Sequence, residues 1–250
     1  MTDQDLSGDV KLTIVEHLEE LRDRLIVSVL ALVVGTGFSL VFTERLLQLL
    51  IKPLGATPIA IHPVESFIVY FKVALIAGVA VAMPVILYEV VRFLLPALTP
   101  QEKRYLYLLV PGGTLFFILG LAFATLIMLP AAINFLHNFM GNIVNQQWTI
   151  ENYISFVTTI MFWMGIIFEL PLVMFFLAKL GIVNTEMLTK FRRFWIVAAA
   201  VIAAAVTPTP DPVNMTIVMV PLILLYEVGI LLVRLAGGGK RRAVRATQAS

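Results

Sequence analysis

The chain has 250 residues, 60% hydrophobic and 14% charged, with a mean hydropathy of +0.94 and a formal net charge of +2. That much apolar surface cannot be hidden in one water-soluble core, so the composition excludes a soluble globular protein and predicts a polytopic membrane protein. Cysteine is absent, which excludes disulfides, thiolate metal sites and cysteine nucleophiles. His17, His62 and His137 stand in no metal-ligand spacing, so neither a metal nor another cofactor is expected.

The start, Met1 to Asp9, is polar and acidic, with no basic region ahead of a short apolar segment, and predicts no cleavable signal peptide. Ile14, Leu18, Leu21 and Leu25 then recur at helical spacing, with Glu16, Glu19, Glu20 and Asp23 on the opposite face. This acidic amphipathic helix leads directly into an apolar run, at a membrane mouth where basic residues are the usual choice. Such a negative collar suits a positively charged ligand. Its plainer reading is a solvated face tied by the spaced pairs Glu20 with Arg24 and Glu19 with Arg22.

Leu25 to Phe42 forms the first predicted span, close to the roughly 20 residues a bilayer needs. Thr43 to Ser66, with Pro53, Gly55, Pro58 and Pro63, reads as an irregular loop. A second span covers Phe67 to Leu94, with Lys72 at its start and Glu89 and Arg92 near its end; their spacing of three predicts a pair snorkelling at the interface. Thr99-Pro100-Gln101-Glu102 has the form of a capping box for a long third helix, Tyr105 to about Leu136, which Pro111 and Pro130 should bend. After a polar loop, the fourth span, Tyr153 to Ala178, carries Glu169 close to its middle.

Gly181 to Thr185 reads as a turn, and the fifth apolar run, Phe194 to Val206, is only about 20 Å long as a helix. It must start nearer Glu186 or thin the bilayer. Thr207 to Pro212 breaks the chain, and Val213 to Val233 makes a sixth span. Gly237-Gly238-Gly239 then releases Lys240, Arg241, Arg242 and Arg245, a flexible basic tail attracted to anionic lipid headgroups. The expected organisation is a single membrane domain over 1–236, collar included, and a cytoplasmic tail over 237–250.

Of the 18 Lys and Arg, only Arg45, Lys52 and Lys72 fall in or beside the first loop; the other fifteen lie at the amino terminus, the alternate loops, the tail or the span ends joining them. The positive-inside rule therefore predicts six spans with both termini in the cytoplasm. Pro84-Val-Ile-Leu-Tyr-Glu89-Val and Pro221-Leu-Ile-Leu-Leu-Tyr-Glu227-Val echo each other on two inward-running spans. The echo is too short for a duplication, but it repeats one device: a proline bend followed by an acid near the inner surface.

Three function classes can be weighed. An enzyme lacks its parts, with no His-Glu-x-x-His, no Gly-x-Ser-x-Gly, no intramembrane aspartate pair and no phosphate loop. A proton- or ion-coupled small-solute carrier could use Glu169, although six spans without a repeat make a poor alternating-access machine. A receptor for a basic peptide accounts for the acidic collar and for Glu102 on the same side. Glu169 itself, about 5 Å from the middle of its span, is expected to hold a partner helix or a bound peptide rather than relay protons.

His17-Leu18-Glu19-Glu20-Leu21-Arg22-Asp23-Arg24-Leu25, Pro84-Val-Ile-Leu-Tyr-Glu89, Leu95-Pro96-Ala97-Leu98 with Glu102, Phe168-Glu169-Leu170-Pro171, Thr207-Pro208 with Asp211, and Glu227-Val-Gly resemble the TatC family, the multispanning component of the twin-arginine protein translocase. The resemblance runs from about Ile14 to Leu235. It implies an all-α cupped bundle of six transmembrane helices, the fifth and sixth short, with an N-terminal cytoplasmic amphipathic helix, in the cell's inner membrane. It also implies a ligand, the twin-arginine signal peptide of a folded precursor, bound by Glu20, Arg22 and Glu102. Partners implied are TatA-type and TatB-type single-span subunits in an oligomeric complex, with membrane lipids around it, no nucleic acid, and the proton motive force as the drive. An intramembrane polar or partner site is expected at Glu169, Thr207, Asp211, Asn214 and Thr216. Val213-Asn214-Met215 stands where the family usually has Phe-Ser-Gln, so a docking contact there would fall to Asn214 or Thr216.

Overall fold

The structure, a computed structural model, describes residues 14–94, 103–139, 147–207 and 211–248, with side chains over 15–93, 109–139, 147–207 and 211–235. It is all helical apart from turns and one isolated extended bridge between Ile59 and Thr149 among these residues. Helix α1, Ile14–Leu40, runs without a break from the acidic collar through the first span. The expected irregular loop is partly ordered instead: α2, Thr43–Ile51, and a 3₁₀ turn, Lys52–Leu54, precede α3, Glu65–Leu94. The reason is the run Leu46-Leu47-x-x-Leu50-Ile51, which has helical spacing and packs on the core.

The third predicted helix is three pieces in line: α4, Lys103–Phe123, a π-helical turn, Ala124–Met128, and α5, Leu129–Asn138. Pro130 cannot donate to the carbonyl of Leu126, so the ladder is interrupted here, and the wider turn absorbs the defect. Pro111 stays inside α4. The fourth span is likewise divided, into α6, Ile150–Phe168, and α7, Leu170–Lys179. At the break the Glu169 amide donates to the carbonyl of Ile166 at 3.0 Å, a tighter turn than the helix on either side. Pro171, lacking an N–H, prevents the normal bond back to Ile167.

Asn184, whose side chain accepts from the Met187 amide at 2.8 Å, caps α8, Thr185–Val206. The fifth run thus starts early, the first of the two readings its shortness left open: 22 residues give about 33 Å. Helix α9, Pro212–Gln248, continues through the three glycines 237–239. Among the described residues five stretches are long and apolar enough to cross a membrane: Val15–Leu40, Glu65–Phe93, Leu109–Asn138, Ile150–Lys179 and Pro212–Leu235. Helix α8, at 22 residues, and the α9 stretch, at 24, are shorter than the others, which have 26 to 30.

Helix α1 lies along α3; α3 packs on α4 and α6, α4 on α6, and α9 on both α7 and α8. Lipid provides no hydrophobic drive between helices, so close approach is made by small residues. At the α1–α3 crossing a Cβ on Gly35 would stand 2.7 Å from the carbonyl oxygen of Gly78. The central core joins Val69 and Val73 of α3, Met128 and Leu129, Tyr153, Val157 and Met164 of α6, Ala199 and Ala203 of α8, and Val218 of α9. Hydroxyls within the spans bond their own helix: Thr114, Thr158 and Thr207 donate to carbonyls four residues back at 2.7–2.8 Å.

Candidate functional site

The collar of α1 carries its carboxylates on a surface that is mostly exposed; Glu20 is the half-buried one. Its neighbour one turn on, Arg24, donates through one terminal nitrogen to Glu20 Oε1 at 3.1 Å and through the other to Glu89 Oε2 at 3.1 Å. The predicted Glu20–Arg24 pair is therefore present, but Arg24 also crosses to α3. Arg22 pairs with adjacent Asp23 at 2.9 Å rather than with Glu19; both are largely exposed, so the pair contributes little. His17 stacks on Phe93 with ring centroids 4.3 Å apart, a second tie between the start of α1 and the end of α3.

The expected snorkelling pair of Glu89 and Arg92 does not form. Glu89 sits on the face of α3 that α1 covers and is 5% exposed, so its carboxylate takes the cation of α1, while Arg92 lies on the outside over the Tyr88 ring. A carboxylate buried this far costs several kcal/mol unless paired, which decides the partner. Glu102 and the capping box of Thr99 to Glu102 lie outside the described residues.

Glu169 is buried at the break between α6 and α7, and among the described residues neither carboxyl oxygen has a hydrogen-bond partner. It faces α4 where that helix has no side chain: a Cβ on Gly113 would stand 3.0 Å from Glu169 Oε2, with Leu87 and Leu172 closing the same space. An unsatisfied acid held in an apolar slot has hydrogen-bonding capacity left over for a group from outside the chain.

The other expected polar residues gather at the corner between α8 and α9. Asp211 accepts from the Asn214 amide at 2.7 Å and from the Asn214 side chain at 2.8 Å, capping α9. Thr216 donates to the Pro212 carbonyl at 2.7 Å and is exposed; Thr207 is buried. None of the four bonds to Glu169, and the whole of α8 separates this corner from the end of α7.

Residues 16–221 match the family described as Sec-independent protein translocase protein (TatC). The chain belongs to the TatC family. It is 38% identical over 237 residues to the chloroplastic Sec-independent protein translocase protein TATC of Arabidopsis thaliana, covering 94% of this chain and 70% of that one. To the Sec-independent protein translocase protein TatC of Carboxydothermus hydrogenoformans it is 35% identical, over 90% of this chain and 94% of the relative. A crystal structure of the twin-arginine translocase receptor TatC superposes with a TM-score of 0.78 at 38% identity, over 88% of this chain and 99% of that one.

In this TatC-family chain the two Pro-to-Glu echoes end alike, each on an arginine of a neighbouring helix. Glu89 of α3 meets Arg24 of α1, and Glu227 of α9 meets Arg192 of α8 at 2.6 Å. Beside the second pair, Tyr226 stacks on Trp195 at 4.7 Å and donates to the Leu188 carbonyl at 2.9 Å. The sequence reading singled out the two acids but missed both arginine partners across the helix contacts, as well as Gly113 opposite Glu169. A signal for the first was available: Arg24 is the basic residue of the collar nearest the apolar run.

Proposed function

We propose that this chain is the receptor subunit of a twin-arginine translocase, taking the signal peptides of folded precursors at a cytoplasmic face and organising partner subunits for export driven by the proton motive force. The observation that carries the reading is Glu20: a half-buried carboxylate at the membrane mouth of α1, in a chain of the TatC family. Guanidinium binds carboxylate through two parallel hydrogen bonds, and two arginines need two such acceptors, for which Glu20 and Glu102 are proposed. Arg22 completes the recognition surface. Six spans follow when α8 is counted with the five apolar stretches, and the Lys and Arg distribution supports both termini in the cytoplasm of a cell with this protein in its inner membrane.

TatA-type and TatB-type single-span subunits are the proposed partners. The Glu169 carboxyl, without a partner among the described residues, and the corner of Thr207, Asp211, Asn214 and Thr216 are the proposed places for their polar contacts. Residues 1–236 would form the membrane domain and 237–250 a basic tail against anionic lipid.

Binding of a twin-arginine signal peptide to the purified protein tests the reading, with the twin-lysine peptide as control. Losing one charge-assisted contact in Glu20→Gln or Glu102→Gln is expected to weaken twin-arginine binding about tenfold or more. Glutamine keeps the capping ability of Glu102, so unchanged binding in Glu102→Gln would reduce that residue to a helix cap.

A further inference from the structure

Arg24 is divided between two acids. One terminal nitrogen bonds Glu20 and the other bonds Glu89, each at 3.1 Å, while Nε is buried with no acceptor among the described residues. The guanidinium thus makes one bond to each carboxylate instead of the two-pronged bond it is shaped for. Glu20 is correspondingly half-engaged, with Oε1 held by Arg24, although a ligand arginine would need both of its oxygens. A better arrangement lies within reach: swung fully onto Glu89, Arg24 could place Nε and a terminal nitrogen on one carboxylate. The stacking of His17 on Phe93 ties α1 to α3 without Arg24, so the swing does not require the helices to separate.

We infer that Arg24 is a resident guanidinium that occupies Glu20 in the empty protein and is displaced onto Glu89 when an arginine of the ligand arrives. The inference rests on the proposal that Glu20 receives a signal-peptide arginine, and it assigns Glu89 a role that no peptide contact would reveal. Glu89 is the receiver. Its side chain is 6% exposed, against 23% for Glu20, so it is inaccessible to the peptide but accessible to Arg24. The arrangement sets a threshold: a ligand must offer a better fork than Arg24 does, which a lysine, with a single point charge, cannot.

The test measures peptide binding to the full-length protein in detergent, for twin-arginine and twin-lysine peptides. In Arg24→Gln combined with Glu89→Gln, cation and receiver are removed together, so no buried charge is left alone. Twin-arginine binding is expected to tighten about two- to fivefold, the worth of one partly exposed pair, with a larger gain for twin-lysine. Glu89→Gln alone leaves Arg24 wholly to Glu20 and is expected to weaken binding. Arg24→Lys, which keeps the charge but loses the planar fork that reaches both carboxylates, is the second variant should the double one fold poorly; it too is expected to bind more tightly. Binding equal to or weaker than the parent in the folded Arg24 variants overturns the inference. Glu20→Gln run beside them separates the two failures: if it binds like the parent, the proposed role of Glu20 falls, and if it loses the peptide while the Arg24 variants stay at parent level, only the displacement falls.

Discussion

The hydroxyl of Tyr153 donates at 2.6 Å to the carbonyl of Leu50, 103 residues earlier, where both are buried. This bond fixes the end of α2 to the first turn of α6, beside the extended bridge in which Ile59 accepts from the Ile150 amide at 2.8 Å. It holds together the ends of the spans on the face opposite the acidic collar. Tyr153→Phe keeps the ring and strands the carbonyl, so it should cost about 1 to 3 kcal/mol. Thermal unfolding in detergent is the measurement. An unchanged midpoint would mean that the bridge and the apolar packing suffice at this end.

The α1–α3 crossing is expected to be intolerant of any added side chain. A Cβ on Gly78 would fall on the Thr36 backbone, 2.6 Å from its Cα, and backbone cannot move aside as a flexible side chain can. Gly78→Ala should destabilise by about 1 to 3 kcal/mol. Gly37→Ala, on α1 next to Thr36, meets nothing within 4 Å and should be neutral or slightly stabilising, a control for helix propensity.

Glu169 separates docking from proton relay. Glutamine keeps hydrogen-bonding atoms and cannot titrate; alanine removes both. Docking predicts that Glu169→Gln retains export and crosslinks to partner spans, while Glu169→Ala loses the crosslinks. Should glutamine be as inactive as alanine with the crosslinks intact, proton relay is the better account. Gly113→Ala should mimic the loss in part, because the methyl enters the space beside Oε2.

Topology can be read by single cysteines, since the native chain has none. An impermeant thiol reagent applied outside sealed cells should label Gln147→Cys and leave Ser250→Cys untouched. The opposite pattern would invert the proposed orientation.

What the sequence by itself determined was where the long apolar helices run, because span length, proline positions and caps are local properties; helix α2, Thr43–Ile51, inside the expected loop, was not among them. The apolar runs dictate where the chain must satisfy its own backbone bonds within lipid. Pro130 and Pro171 mark the two places where a span is interrupted among the described residues, and of the two readings left open by the short run Phe194 to Val206 the earlier start is the one found, at Thr185. The acidic collar was equally legible, being a periodicity within one helix. The pair within one helix, Glu20 with Arg24, was legible as well, but only the tertiary structure decided which charges meet across helices. A spacing of three on α3 matched Glu89 with Arg92, but spacing says nothing of which side of a helix a neighbour covers. With α1 laid along that side, burial excluded the exposed partner and selected Arg24, 65 residues away. The same holds for Glu169, whose depth was readable from its place in the span. That its carboxyl meets no partner among the described residues and stands opposite Gly113 of another helix is a relationship between chain segments that no local pattern contains.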